Sequence, residues 1–215
     1  MKEDVLEQLV EDWFISRTGY FVKHNLRYRP SKDHREYISR KDSVHSDIDI
    51  LAINNLNKGL DRVAAVTCKS WQGGFSFSEW FPAFESEAEY NKKSADFKKR
   101  ERWKYFREII SDKWIEAFLD KIKSETGQID FEYIIAVTKF NGTTEEKAKI
   151  ENSDVVLNRF KEKGSTIRIK ILTLEELIAE YQNRLQQNQS TTLEATEIGR
   201  LMQIIHAANF EIRKN

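Results

Sequence analysis

The sequence predicts an α/β fold: a mixed central sheet flanked by helices, with an extra helix at the C-terminal end. Three observations carry this expectation. Two strand-like runs, Asp47 to Ile53 and Val63 to Lys69, are separated by an Asn/Gly/Lys-rich turn region. Downstream, residues 131–187 read strand, helix, strand, helix, the rhythm that buries a sheet between helical layers. Ahead of both, Leu6, Leu9, Val10, Trp13 and Phe14 recur at helical spacing.

Taken in order, the first helix covers Glu3 to Arg17 and stops at Thr18-Gly19. It places Glu7 and Glu11 one turn apart on a shared face, roughly 6 Å from each other. Tyr20 to Arg29 alternates loosely as a first strand that ends at Pro30. Arg27 to Lys41 is irregular and basic: Arg27, Arg29, Lys32, Arg35, Arg40 and Lys41 outnumber Asp33 and Glu36. Such a loop either touches phosphates or is simply solvated. His24, His34 and His45 lie in or near it without metal-binding spacing.

Side chains alternate along a strand that rises about 3.3 Å per residue. Asp47 and Asp49 therefore share one face, and Ile48, Ile50 and Ala52 the other. The same rule puts Thr67 with Lys69 and turns Cys68 away. If the two runs are antiparallel neighbours, two carboxylates, a hydroxyl and an ammonium converge, the composition of a metal-dependent phosphodiesterase site.

Beyond Lys69, Gly73 and Gly74 allow a sharp turn. Trp71, Phe75, Phe77, Trp80 and Phe81 either pack into the core or form a wall on which a base stacks. Pro82 suits a first helical turn, and helical character continues, with an interruption near Asn91, to Thr126-Gly127. Trp103, Phe106, Ile110, Trp114, Phe118 and Ile122 form its apolar stripe. Its basic part holds Lys98, Lys99, Arg100, Arg102, Lys104 and Arg107, with Arg100, Lys104 and Arg107 on one face. That ridge, with Arg29 and Arg35 from the earlier loop, is the candidate surface for a nucleic-acid backbone. Asp96, Glu101 and Glu108 dilute it.

Phe131 to Phe140 reads as a buried strand closed by Asn141-Gly142. Thr143 with Glu146 opens a helix to about Lys163, and Thr173 with Glu176 repeats this capping signature after the strand Thr166 to Leu172. The core domain is expected to span 1–187. Residues 188–215 form a polar linker and a last helix that packs on the core or on a second subunit.

The chain has 215 residues and equal numbers, 35 and 35, of basic and acidic side chains. Zero formal charge excludes a polyelectrolyte binder, so any nucleic-acid surface is a local patch. One cysteine excludes a disulfide framework and a cysteine zinc site, which fits a reducing cytoplasm. No long apolar run points to a membrane. No base motif accompanies Cys68, and Gly73-Gly74 is not followed by the Gly-Lys-Ser/Thr of a phosphate-cradling loop.

Ser46 to Trp71, SDIDILAINNLNKGLDRVAAVTCKSW, resembles the PD-(D/E)XK nuclease superfamily. The signature there is an acid at the end of one strand and acid-x-Lys on the next. The likeness is nearest the resolvase-like and type IV restriction branch, in which a "GEIDIIA"-type strand precedes a "VQCKxx"-type strand. Asp49 matches the first acid and Lys69 the lysine, while Thr67 stands where Glu, Asp or sometimes Gln is expected.

The resemblance implies a restriction endonuclease-like fold and a nuclease of restriction, repair or mobile-element type that hydrolyses DNA with Mg²⁺ (or Mn²⁺). A first-helix glutamate often joins such sites, which makes Glu7 the first choice and Glu11 the alternative. Asp49, Asp47 and Glu7 would hold the metal, and Lys69 would orient water or stabilise developing charge. A carboxylate about 4 Å from a cation contributes roughly 4 kcal/mol at an effective dielectric near 20, and Thr67 offers only a neutral oxygen. Asp47, or Glu85 or Glu89 from the following helix, would have to compensate. DNA is the expected partner ahead of RNA, and a homodimer would address both strands. The alternative is a catalytically inactive nuclease-fold module that binds DNA or a partner protein.

Overall fold

The computed structural model describes residues 4–92, 102–187 and 197–208. Helix α1 (Val5–Ile15) begins at Asp4, whose carboxylate accepts the Leu6 N–H at 2.8 Å. Strand β1 (Tyr20–Tyr28), the short helix α2 (Ser39–Asp42), strand β2 (Ser46–Asn54), a 3₁₀ turn (Gly59–Arg62) and strand β3 (Val63–Lys69) follow. Next come β4 (Phe75–Ser76), α3 (Phe77–Glu85), α4 (Glu87–Tyr90), a 3₁₀ turn (Arg102–Lys104), α5 (Arg107–Ile110) and α6 (Asp112–Thr126). The rest is β5 (Phe131–Val137), β6 (Phe140–Asn141), α7 (Thr144–Glu151), α8 (Asp154–Glu162), β7 (Ile167–Thr173), α9 (Leu174–Gln187) and α10 (Glu197–Ala207).

The central sheet runs in the order β1-β2-β3-β5-β7. β2 is antiparallel to both neighbours, whereas β3, β5 and β7 are mutually parallel. All seven residues of β3 are apolar, small or aliphatic in stem, and six of them are buried, as a central strand covered on both faces requires. One face carries Trp13, Phe14, Ile50, Val66, Ile134 and Leu177 against α1, α9 and α10. The other carries Leu51, Ala65, Trp80, Phe106, Phe118, Tyr133 and Phe160 against α3, α5, α6 and α8. The result is a mixed sheet between two helical layers. Met202 of α10 is buried in the α1 layer, with Ile198 and Ile205 packed beside it, so the last helix lies on the core.

The long helical stretch expected from Pro82 to Thr126 is broken in several places. α3 starts earlier, at Phe77, which puts Pro82 inside it. Ser86 and Ser111 are extended, and Phe106 sits at φ 57°, in the left-handed region. From Phe106 to Ile122 the apolar stripe is buried as its spacing predicts, but it comes from Phe106, α5 and α6 and not from one helix; the Trp103 side chain lies outside the described residues. The helix expected from Thr143 to Lys163 likewise divides, because Ser153 caps a second start by accepting the Val156 N–H. Both Thr/Glu capping pairs are present, at Thr143–Glu146 and Thr173–Glu176. A small parallel pair, β4 with β6, had no signal in the alternation pattern because each strand has two residues.

Strand alternation also departs from expectation at Asp49. Ile48 packs with the α6 layer, whereas Ile50 and Ala52 pack with α1, so these three do not share a face. The β1–β2 register is continuous except at the Asn25/Asp49 position, and Asn25 has φ 51°. A left-handed residue reverses the alternation there, and the strand pair turns over at the candidate acid. Asn tolerates that conformation, whereas a β-branched side chain does not. Asn25→Val is expected to cost about 1–2 kcal/mol in urea unfolding, and Asn25→Gly to cost little. Equal stability of all three proteins would contradict the turnover.

Candidate active site

Asp49, Thr67 and Lys69 meet where β2 parts from β3. The ladder between these strands covers Ile50↔Val66 to Ile53↔Val63 and stops short of Asp49. There the Asp49 carboxylate takes the place of a backbone acceptor: its Oδ2 accepts the Cys68 N–H at 2.6 Å. The same oxygen accepts a long contact from Thr67 Oγ1 at 3.4 Å and lies 3.6 Å from Lys69 Nζ. Lys69 Nζ also donates to Thr67 Oγ1 and to the Cys68 carbonyl. Thr67 thus bridges the ammonium and the carboxylate, while the Cys68 side chain points into the α1 layer.

Asp49 and Lys69 are both mostly buried, with side chains 14% and 16% exposed. Burial pushes the Asp49 carboxyl up, and Lys69 and the Cys68 N–H oppose that without cancelling it. Burial works against the Lys69 charge as well, yet Asp49 and then Glu108 outweigh it and hold the ammonium above the usual lysine value. Glu108 is buried behind the site and accepts the Tyr133 hydroxyl at 2.6 Å. Phe106 completes this wall, with Lys69 Nζ 5.7 Å from its ring centroid.

Glu7 and Glu11 separate into different environments. Glu11 accepts from or pairs with His24 at 3.0 Å. Glu7 feels the site: its carboxyl is pushed up to about 7 by burial, then by Asp49, Asp4 and Asp47, with Lys69 pulling it down. Asp4 extends this acidic edge and accepts the Ser70 hydroxyl, tying the start of α1 to the end of β3. Asp47 is exposed and paired across the ladder with Arg27. The oxygens of Asp49, Asp47 and Glu7 are of the hard type that Mg²⁺ takes. Among the described residues, however, no three acidic, histidine or cysteine side chains are placed to hold one ion together. In this arrangement the set does not fit a three-ligand metal site, and the positive charge beside Asp49 is that of Lys69. Glu85 and Glu89 do not supply the missing acid, because Glu85 accepts from Ser153 and Glu89 pairs with Lys92.

The expected basic ridge is not a single face. Arg107 is buried, its guanidinium 3.5 Å from the Trp114 ring centroid, and Arg102 is tied to Glu79 and to the Glu89 carbonyl. Both serve packing, because the breaks before α5 turn these positions inward. Lys104, Arg29 and Arg35 are exposed, the last beside Glu36. Lys98, Lys99 and Arg100 lie outside the described residues. Asp4 and Glu108 join the site without a catalytic motif in the sequence: an Asp just before an apolar helical run is a cap signal, and nothing local ties Glu108 to Lys69. Among the described residues, no helix is long and apolar enough to cross a membrane.

No protein-family model, curated protein or solved structure matches this chain.

The Glu7 environment makes stability depend on pH. Its folded value, about 7, lies above the ordinary 4.5, so the folded chain holds this proton more tightly than the unfolded one. The stabilisation is complete below pH 4.5 and is lost as pH rises through about 7. Glu7→Gln should therefore melt with wild type at pH 4.5 and above it once pH exceeds 7. A melting difference that does not change across that window would contradict this placement.

Proposed function

We propose that this chain is a restriction endonuclease-like module of the PD-(D/E)XK kind that acts on DNA phosphodiesters. The observation that carries the reading is the convergence of Asp49, at the parting of β2, with Lys69, at the end of β3. A mixed sheet between helical layers supports it, with these groups at one end of adjacent strands.

In this reading Lys69 receives a non-bridging phosphate oxygen and stabilises the charge that develops as the water oxygen bonds to phosphorus and the bond to the leaving sugar oxygen breaks. That oxygen takes a proton from solvent. Asp49 positions Lys69 and fixes the β3 end through the Cys68 N–H. Glu7, at the acidic edge of the same site, is the group to take the proton of the attacking water. Exposed Arg29, Arg35 and Lys104 are among the cations that would follow the DNA backbone. Mg²⁺ or Mn²⁺ dependence belongs to this reading through the resemblance.

One observation favours a second reading, a silent nuclease-fold module that binds DNA. Thr67, standing where an acid is expected, closes an internal chain from Lys69 to Asp49, so these groups satisfy one another.

Incubation of supercoiled plasmid with the protein and Mg²⁺ or Mn²⁺, compared with Asp49→Ala and Lys69→Ala, separates the two. Nicking that falls about 10²–10³-fold in both variants is expected, the usual size for loss of a transition-state contact. Plasmid left intact by wild type, with DNA still bound, would favour the silent module.

A further inference from the structure

The chain between β1 and β2 leaves the sheet at the same end as Asp49 and Lys69, because β2 is antiparallel to both β1 and β3. This loop, residues 29–45, exposes four arginine and lysine side chains, Arg29, Lys32, Arg35 and Arg40, against two carboxylates, Asp33 and Glu36. It also exposes two large apolar side chains, Ile38 at 51% and Val44 at 56%. We propose that this loop is an arm that grips duplex DNA beside Asp49 and Lys69, its cations on phosphates and Ile38 and Val44 against the groove wall between them. The inference rests on the phosphodiester reading for its partner, and adds to it the surface outside the site that holds the duplex.

A buried carboxylate holds the loop in one shape. Asp42 is 1% exposed, and its Oδ2 accepts the Ile38 N–H and pairs with Lys113 Nζ, each at 2.7 Å. Its Oδ1 accepts the Trp114 Nε1–H at 3.1 Å. Lys113 Nζ donates as well to the Glu36 carbonyl at 2.8 Å, and Arg107 Nη2 to the Val44 carbonyl at 3.3 Å. Backbone on both sides of α2 is thereby fixed to α5 and α6, and a surface formed in advance binds without the entropy of ordering a long loop. Arg107 follows directly on Phe106, whose ring centroid lies 5.7 Å from Lys69 Nζ, so one segment anchors the loop and walls the site.

The exposed part fits a polyanion that has apolar surface between its charges. Among the described residues, Arg29, Lys32 and Arg40 make no ion pair, and Arg35 meets Glu36 at 3.7 Å. Nucleic-acid arms combine the same two elements, charge for the backbone and aliphatic side chains for the groove. An anionic lipid surface shares this chemistry, and position decides between the two. The loop adjoins Asp49 and Lys69, the pair read here as acting on a phosphodiester.

Fluorescence anisotropy of a labelled duplex in EDTA, between about 50 and 200 mM NaCl, tests this without requiring cleavage. Lys32→Ala and Arg40→Ala should each lower the slope of log Kd against log salt by about 0.9, the value of one phosphate contact on a duplex. Ile38→Ser and Val44→Ser should weaken binding roughly 3- to 10-fold with the slope unchanged, as loss of a half-buried apolar contact does. All four side chains are exposed, and thermal melting checks that each variant is folded. Lys58→Ala, also exposed but between β2 and β3 at the opposite end of the sheet, should change neither quantity. A slope indifferent to Lys32 and Arg40, a slope lowered equally by Lys58→Ala, or full affinity in both serine variants would overturn the arm. Tighter binding of phosphatidylserine vesicles than of duplex at the same salt would overturn it in favour of a lipid surface. Loop-dependent duplex binding without plasmid nicking would refute the nuclease reading and keep the arm; nicking by wild type, with duplex binding indifferent to the loop, would do the reverse.

Discussion

The candidate site depends on one substitution of partners: the Asp49 carboxylate stands in for a strand. Where β2 leaves β3, the Cys68 N–H would otherwise face the interior without an acceptor, and a buried unpaired N–H costs about 1–3 kcal/mol. Asp49 Oδ2 takes that N–H at 2.6 Å. The carboxylate is then buried, which requires a cation nearby, and Lys69 provides it at 3.6 Å. Strand turnover at Asn25, parting of the ladder and pairing of the two charges are thus one linked arrangement. Residues that follow Lys69 inherit their position from it, through Ser70 on Asp4 and Trp71 on Phe106.

Several cations among the described residues are held by partners within the protein. Arg107 and Lys113 are buried with Trp114 and Asp42, Arg102 is held by Glu79, and Arg168 by Asp61 and Glu132. Other cations, Arg29, Lys32, Arg35 and Lys104 among them, stay exposed.

Much of this was legible in the sequence where a signal is local. Strand alternation gave Val63 to Lys69 its bounds, the Thr/Glu spacings marked both helix starts, and the Asp49 and Lys69 pair stood out by strand position. Features set by distant partners were not legible. The left-handed turn at Phe106 lets its ring meet Trp80 at 4.8 Å, and no propensity encodes that contact. The resulting break buries Arg107, which helical periodicity alone places on a solvated ridge. Asn25 reverses a strand face that simple alternation carries straight through, and the β4–β6 pair exists only because Lys139 comes to Phe75. Glu108 reached the site by tertiary packing, from the far side of that same break.

The measurement that tests the central claim most directly is the titration of the Lys69 ε-amine by NMR in wild type and Asp49→Asn. Asparagine keeps the shape and the acceptor for Cys68 but removes the charge. The ammonium in wild type should titrate above 10.5 and fall in the variant, since burial then acts against it without its largest opposing charge, leaving Glu108, Cys68 and Asp47. A Lys69 that titrates alike in both proteins would show that Asp49 does not hold it, and the site would lose its organising pair.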